Sequence, residues 1–275
     1  MKMQAGSVSQ TVELFHDRTN TNNTKIFDVK KHFGPFFANV VLADDVTNAM
    51  IKMTDKIIDD KKSESHGQSL AGVIDKELRI YKSDMNEFGV DQMLESCLRS
   101  YVIHCAKQHG SFKENWTYES MVNSAWVVSQ YENEYNPIHN HTGCDISGVI
   151  YLKTPNVKGR RNINSKKGKT DHDSDITFIH SAMGNRNFDI LEKGIITMTP
   201  QVGMMVMFPS YLLHTVYPFI GEEERRCIAF NGTYRILSDK SQFIAGDLSK
   251  STNETFYTKE KGVHPLTPSD KLVEK

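Results

Sequence analysis

The amino-acid sequence predicts an α+β domain in which helices back a β-sandwich or β-barrel. The chain has 275 residues, with 38% hydrophobic and 24% charged residues, as is usual for a globular protein. Apolar residues recur at helical spacing in the first part of the chain, and alternate as in strands after about residue 120. No linker or internal repeat separates the two parts. We therefore expect a single domain over residues 1–275.

Two segments before residue 120 have the spacing of amphipathic helices. The first, at about 44–62, places Met50, Met53, Ile57 and Ile58 on one face. The second, at about 89–109, has a similar apolar stripe and ends at Gly110, a suitable residue for a helix C-terminus. Both stripes are predicted to be packing faces, and residues 1–119 are expected to form a helical support region.

Residues 120–234 are predicted to form the β core. Short runs rich in β-branched and aromatic residues alternate there between apolar and polar side chains. The candidate strands are 123–131, 135–141, 145–154, 175–180, 194–199, 203–208, 212–218 and 225–233. The remaining segment, 235–275, is polar and expected to be peripheral.

A long polar insertion interrupts the predicted strands at 156–174. It is basic, and we interpret it as a solvated loop, with a lid or an anion-binding loop as the alternative. The sequence DHDSD, Asp171 to Asp175, has the residue types of a metal site. Because it lies in a loop without a shaped pocket, we expect no site there. The basic residues of the insertion are Lys158, Arg160, Arg161, Lys166, Lys167 and Lys169.

Charge and cysteine content restrict the classes of function. The net charge of −1 gives no general reason to expect nucleic acid or an anionic membrane as a partner. No stretch approaches the ~20 apolar residues of a membrane span, and the N-terminal residues have no apolar core of a signal peptide. The four cysteines show no CxxC pattern, which favours free thiols in a reducing compartment. We therefore expect an intracellular, cytoplasmic protein.

The stretch YNPIHNHTGCDISGVIY, Tyr135 to Tyr151, contains a candidate metal site. His139 and His141 are separated by one residue, so in an extended strand both side chains project from the same face. A turn at 142–145 and an alternating apolar run follow, which predicts a hairpin. Paired imidazoles are a common half of a metal site, although two solvated histidines would give the same pattern.

A second informative stretch, Gly203 to Tyr234, contains His214 in an apolar setting and Arg225 at the start of a later strand. Strand alternation places Arg225 on one face with Cys227 and Asn231, and Ile228 on the other. This division is typical of a sheet that packs on helices with one face and lines a pocket with the other. An arginine facing a pocket can bind a carboxylate with both prongs of its guanidinium.

Together, these stretches resemble the Fe(II)- and 2-oxoglutarate-dependent dioxygenases, most closely the 2OG-Fe(II) oxygenases of phages and marine bacteria. The resemblance is carried by YNPIHNHTGCDISGVIYLKTP and by FPSYLLHTVYPF followed by EERRCIAFN, over about residues 120–233. A weaker similarity is found upstream in GQSLAGVIDKEL, Gly67 to Leu78. The resemblance implies a double-stranded β-helix, or jelly-roll, core backed by N-terminal helices.

The resemblance also implies roles for individual residues. His139 is similar to the first iron ligand and His214 to the distal one, while His141 stands where the commonest pattern has aspartate. Either the metal site consists of three histidines, or Asp145 reaches back to supply the carboxylate.

The cosubstrate residues follow from the same resemblance. Arg225 resembles the residue that binds the distal carboxylate of 2-oxoglutarate, with Arg226 as the alternative if the strand register shifts by one. Tyr151 resembles a tyrosine that hydrogen-bonds the same carboxylate, with an interface tyrosine as the alternative. No catalytic residue beyond the metal ligands is implied.

The implied activity is oxidation of an unidentified substrate with Fe(II), 2-oxoglutarate and O₂. Hydroxylation with release of succinate and CO₂ is the expected outcome. Two alternatives use the same histidines: a three-histidine zinc hydrolase or lyase, and a cupin-like metal-binding module without turnover. The zinc alternative gives Arg225 no evident cosubstrate to bind.

Overall fold

A computed structural model describes residues 24–30, 34–67, 70–157, 172–180 and 194–247 of the chain. Most of the regular structure is antiparallel β-sheet, accompanied by helices in the first half. The helices are α1 (Asp44–Asp59), α2 (Lys82–Glu87) and α3 (Val90–His109). The strands are β1 (Thr24–Lys30), β2 (Phe37–Leu42), β3 (Lys76–Ile80), β4 (Thr117–Gln130), β5 (Asn136–His139), β6 (Ile146–Lys153), β7 (Ile176–Ile179), β8 (Ile195–Met198), β9 (Met204–Pro209), β10 (Leu213–Val216), β11 (Arg225–Leu237) and β12 (Phe243–Gly246).

The strands form two sheets. The large sheet has the order β1-β2-β9-β6-β11-β4-β3, and β12 pairs with the distal part of β11. The small sheet has the order β5-β10-β7-β8. All of these pairings are antiparallel.

Two apolar cores lie on opposite faces of the large sheet. Ile228 and Phe230 of β11 belong to a core that also contains the buried residues of α1 and α3. Cys227 and Tyr151 belong to a second core, which Phe178 and Val216 of the small sheet share. The predicted division of β11 between two faces is thus confirmed. The second core lies between the sheets and forms the walls of the site described below.

The two long helices agree with the predicted ones to within a few residues. Helix α1 begins at Asp44, as predicted, and ends at Asp59 rather than near 62. Helix α3 ends at Gly110, which has the left-handed conformation expected of a C-terminal glycine, with φ 77°. Helix α2 was not predicted, because it is too short to show a helical period.

Each of the eight predicted strands is present, but the predicted hairpin is wrong. Strand β5 pairs with β10 in the small sheet, whereas β6 pairs with β9 and β11 in the large sheet. The turn after His141 therefore crosses from one sheet to the other. Strand alternation fixes which face a side chain takes, but not which strand is its neighbour. Strands β1, β2, β3 and β12 were not predicted.

Charged side chains connect helix α1 to the large sheet. Arg226 of β11 donates to Glu224 from Nε at 2.6 Å and to Asp55 of α1 from Nη1 at 2.5 Å. Lys153 of β6 also pairs with Glu224, at 2.9 Å. These partners direct Arg226 away from the space between the sheets.

Most of the basic insertion, including all six of its lysines and arginines, lies outside the described residues. Of DHDSD, residues His172–Asp175 are described, and the backbone carbonyl of Ser174 accepts a hydrogen bond from Arg225 Nε at 3.2 Å. No helix in the described part of the chain combines the length and apolarity needed to cross a membrane.

Candidate metal and cosubstrate site

The strand pairing between β5 and β10 places two histidines side by side. His139 and His214 are register partners across these antiparallel strands. Their ring centroids lie 4.2 Å apart. Partners of this kind have adjacent β-carbons, so strand pairing alone brings the two imidazoles together. Phe208 packs edge-on against His214, with centroids 5.0 Å apart, and closes one side.

His141 joins this pair from just beyond the end of β5. Its backbone N–H donates to the carbonyl of Ser210 at 2.9 Å, which fixes the chain as it leaves the strand. The His141 ring lies 5.4 Å from that of His139 and 5.1 Å from that of His214, between centroids. One ligand nitrogen from each of the three histidines lies within 4.8 Å of the other two. The structure thus brings together all three predicted histidines.

Each of the three imidazoles uses the same nitrogen, Nδ1, for a hydrogen bond to an oxygen of the protein. The Nδ1 atoms of His139 and His214 lie 2.7 Å and 2.9 Å from the carbonyl oxygens of Pro137 and Leu212. The Nδ1 atom of His141 lies 2.6 Å from Asn231 Oδ1. Since an oxygen acceptor requires Nδ1–H, every ring carries its proton on Nδ1 when neutral. The three Nε2 lone pairs are then available to a metal ion.

Burial keeps these imidazoles neutral. Desolvation lowers the pKa of His141 to about 4, and lowers the pKa of His139 as well. It lowers the pKa of His214 further, assisted by repulsion from the other two histidines. Neutral imidazole is the form that binds metals, so the cluster suits a divalent cation.

Asp145, the alternative third ligand, is directed elsewhere. Its carboxylate accepts a hydrogen bond from Thr233 Oγ1 at 2.5 Å, and its backbone N–H donates to Gly232. Asp145 is not part of the histidine cluster. Among the described residues, the donor set of this cluster is therefore three imidazoles without a carboxylate.

Arg225 is buried beside the histidine cluster, with 1% of its surface exposed. Its Nη1 donates to Gln130 Oε1 at 3.0 Å, and its Nε donates to the Ser174 carbonyl. Its Nη2 atom is buried and has no hydrogen-bond partner. A buried guanidinium nitrogen without an acceptor is costly, and no acceptor for this atom is present among the described residues.

Tyr151 lies against Arg225 and is completely buried. Burial raises the pKa of its phenol, while the Arg225 charge acts in the opposite direction. The hydroxyl, like Arg225 Nη2, lacks a hydrogen-bond partner. Two neighbouring side chains thus hold unpartnered donors, and of the two Arg225 lines the pocket whereas Tyr151 lies behind it and is not among the lining residues.

The histidines and Arg225 line one open pocket of about 580 Å³, its mouth included. Arg226 is not among the lining residues, because it turns to Glu224 and Asp55. Of the two arginines, Arg225 is therefore the one that faces the pocket. The pocket walls include Trp126, Val149 and Phe208 from the core between the sheets.

A family model described as "Putative 2OG-Fe(II) oxygenase" matches residues 124–231, which contain all three histidines and Arg225. Over these residues the chain is similar to the 2OG-Fe(II) oxygenases. Enzymes of this family are oxidoreductases that use iron and 2-oxoglutarate. No curated protein matches the sequence.

Several solved structures are similar to this one at low sequence identity. An oxidoreductase of the 2OG-Fe(II) oxygenase family from Burkholderia pseudomallei is 10% identical, with a TM-score of 0.42 over 70% of this chain and 84% of the other. A Pseudomonas putida prolyl-4-hydroxylase is 13% identical, with a TM-score of 0.40 over 74% and 91%. A prolyl hydroxylase from Trichoplax adhaerens, in complex with a hypoxia-inducible-factor peptide fragment, is 13% identical, with a TM-score of 0.43 over 78% and 85%.

Two residues of the site were missed as functional residues in the sequence. Asn231 shares a strand face with Arg225, and the structure shows that it orients His141. Gln130 lies directly opposite Arg225 on β4 and holds its guanidinium. An amide inside an apolar strand was the available signal in each case, but a partner more than 80 residues away cannot be inferred from it.

Proposed function

We propose that the protein is an Fe(II)- and 2-oxoglutarate-dependent dioxygenase that hydroxylates its substrate and releases succinate and CO₂. A single observation carries the proposal: three outward-facing imidazole Nε2 atoms share one pocket with a buried guanidinium nitrogen that has no partner. The imidazoles suit a divalent metal, and the guanidinium suits the carboxylate of a cosubstrate.

We further propose that the whole chain, 1–275, forms one catalytic domain. The two sheets would be the two halves of a double-stranded β-helix, with α1 and α3 supporting the face of the large sheet that is remote from the pocket. The shared core between the sheets supports this architecture. The residues of α1 and α3 in the other core support the placement of the helices.

His139, His141 and His214 would hold the metal ion. Their Nδ1 acceptors fix the ring orientation before the ion binds, which reduces the entropy cost of assembling the site. An all-imidazole set leaves the charge of a divalent cation uncompensated, so an anionic cosubstrate would add favourable charge at the metal.

Arg225 would bind the distal carboxylate of 2-oxoglutarate. Gln130 and the Ser174 carbonyl hold two of its nitrogens, so Nη2 is presented in a fixed direction. Tyr151 would donate its hydroxyl to the same carboxylate. In return, the carboxylate would provide acceptors for two buried donors.

When bound together, Fe(II) and 2-oxoglutarate would supply the electrons that activate O₂, which is the oxidant for hydroxylation of a C–H bond. The residues of the chain would bind and orient the metal ion and the cosubstrate, and they would exclude water. Apolar side chains such as Trp126 and Phe208 line the pocket and limit the access of water to the site.

The proposal is tested by adding Fe(II) and 2-oxoglutarate anaerobically to the purified protein. A visible metal-to-ligand charge-transfer band is expected, followed by slow formation of succinate when O₂ is admitted. His214→Ala should lose both, whereas His104→Ala on helix α3 should retain both. Zinc-dependent hydrolysis without succinate would contradict the proposal and favour the zinc enzyme, although that alternative leaves Arg225 Nη2 without a partner.

A further inference from the structure

Glu77 is an acidic residue in the pocket wall that the proposed chemistry does not use. It lies on β3, the edge strand of the large sheet, with 2% of its surface exposed. It lines the same pocket as the three histidines. Its Oε1 atom is buried and receives no hydrogen bond. Because a buried acceptor without a donor is costly, this atom requires an explanation.

Strand register places Glu77 away from the proposed cosubstrate residues. Glu77 is paired with Val128, Val128 with Cys227, and Cys227 with Tyr151, in one row across β3, β4, β11 and β6. Residues opposed in this way share a face of the sheet. At the usual strand spacing, three strand-to-strand steps separate the backbones of Glu77 and Tyr151 by about 14 Å. Glu77 therefore enters the pocket from the β3 edge of the sheet, three strands from Tyr151 and two strands from Arg225.

The surroundings of Glu77 are unfavourable to a carboxylate without a counter-ion. Burial, assisted by the nearby carboxylate of Glu134, raises its pKa from 4.5 to about 7. The oxygens of Glu134 accept hydrogen bonds from the backbone N–H groups of Asp75 and Tyr131. Glu134 is thus held in place by the backbone, whereas Glu77 Oε1 remains available to a ligand.

Two glycines, Gly67 and Gly72, lie close to the carboxylate of Glu77. A Cβ atom at Gly72 would lie 2.1 Å from Asn136 Oδ1 and 3.5 Å from Glu77 Oε1, and one at Gly67 would lie 3.4 Å from Glu77 Oε2. The backbone therefore comes close to the carboxylate at Gly67 and Gly72. A side chain at Gly72 would clash with Asn136, which lines the pocket together with Glu77.

Building on the proposed function, we infer that the primary substrate carries a protonated nitrogen, such as a primary amine, and that Glu77 binds it. An ammonium group would donate to the unpartnered Oε1 and would compensate the buried negative charge. It would also reduce the repulsion from Glu134. A neutral hydroxyl or amide would supply only the hydrogen bond. The pocket would then bind an anion at Arg225 and a cation at Glu77.

The inference is tested with two probes of similar size, hexylammonium chloride and hexan-1-ol. Each is measured at neutral pH by equilibrium dialysis against the anaerobic protein loaded with Fe(II) and 2-oxoglutarate. We expect the wild type to bind hexylammonium at least about tenfold more tightly than hexan-1-ol, as for a charge-assisted hydrogen bond. Glu77→Gln should abolish this preference. Glu132→Gln, the same substitution at an exposed position, should retain it.

Equal binding of the two probes by the wild type would overturn the inference, and this comparison needs no variant. An undiminished preference in Glu77→Gln would overturn it too. If the glutamine variant fails to fold, Glu77→Asp takes its place. Aspartate keeps the charge on a shorter side chain, so its preference for hexylammonium should be weaker. An undiminished preference in this variant would overturn the inference. The charge-transfer band, read on the same samples, separates the two proposals. A band without an amine preference rejects this inference alone, and absence of the band rejects the proposed function.

Discussion

The guanidinium of Arg225 lies over the ring of Tyr151, with its Cζ atom 5.2 Å from the ring centroid. Both side chains are buried, and each presents a donor without a partner. The cation–π contact fixes the two side chains relative to each other. A ligand that accepts from one of them would therefore find the other already in position, which lowers the entropy cost of binding.

Arg225→Ala should weaken 2-oxoglutarate binding strongly and leave Fe(II) binding intact. Removing one partner of a buried, charge-assisted pair typically costs about 2–5 kcal/mol, which is roughly 30-fold to several-thousand-fold in Kd. Arg225→Lys should restore little, because lysine offers a point charge without a fork. Calorimetric titration of 2-oxoglutarate into the metal-loaded variants measures the effect.

Arg226→Ala is the matched control for this prediction. Arg226 pairs with Glu224 and Asp55 and does not line the pocket. Its loss should lower the free energy of unfolding, because Glu224 would lose a partner, while the Kd for 2-oxoglutarate stays near that of the wild type. Equal Kd values in Arg225→Ala, Arg226→Ala and wild type would show that neither arginine binds the carboxylate of 2-oxoglutarate.

Tyr151→Phe should separate ligand binding from stability. The hydroxyl is buried and unpartnered, so removing it should leave the free energy of unfolding of the ligand-free protein unchanged or slightly higher. The Kd for 2-oxoglutarate should rise by about 2- to 13-fold, as for the loss of one hydrogen bond of roughly 0.5–1.5 kcal/mol. Urea unfolding and calorimetric titration of the same variant provide both values. A destabilised variant with unchanged affinity would show that Tyr151 is only a packing residue.

Strand positions and strand faces were accessible from the sequence, because both depend on local alternation. The assignment of Arg225 and Cys227 to one face and Ile228 to the other is an example. Strand partners were not accessible. The pairing of His139 with His214 joins residues far apart in the chain, and it replaces the hairpin that the short turn after His141 favoured.

Choices between alternative residues in the site also depended on long-range contacts. The sequence alone left open Arg225 or Arg226, and His141 or Asp145. In the structure, Arg226 donates hydrogen bonds to Asp55 and Glu224, and Asp145 accepts one from Thr233. Glu77 was not singled out at all, since a glutamate in a strand is ordinarily exposed and only the assembled pocket shows that this one is buried.

Asn231→Ala should weaken metal binding without removing a metal ligand. Asn231 Oδ1 accepts from His141 Nδ1–H and thereby keeps Nε2 unprotonated and directed to the cluster. Loss of such an outer partner typically reduces metal affinity by about 10- to 100-fold. Asn231→Asp retains the acceptor and should bind metal more tightly than the alanine variant. Competition of each variant with a chelator gives the affinities, and equal values for alanine, aspartate and wild type would contradict this role.

Glu77→Gln should change how stability depends on pH. The folded protein raises the pKa of Glu77 from 4.5 to about 7. Below pH 4.5 the carboxyl is protonated in both the folded and unfolded states, so it contributes no pH dependence. Between pH 4.5 and 7 the unfolded chain ionises first, so wild-type stability falls as the pH rises; above pH 7 this loss is complete.

The glutamine variant lacks this ionisation. Its free energy of unfolding should therefore increase relative to wild type between pH 5 and pH 8, by at most about 3 kcal/mol at 1.36 kcal/mol per pKa unit. Urea unfolding at the two pH values measures the difference, with Glu132→Gln as the control for an exposed glutamate. A difference that stays constant with pH would mean that Glu77 ionises normally in the folded protein. If hexylammonium binds at Glu77, it should reduce the difference at pH 8, because the ammonium stabilises the charged carboxylate of the wild type alone.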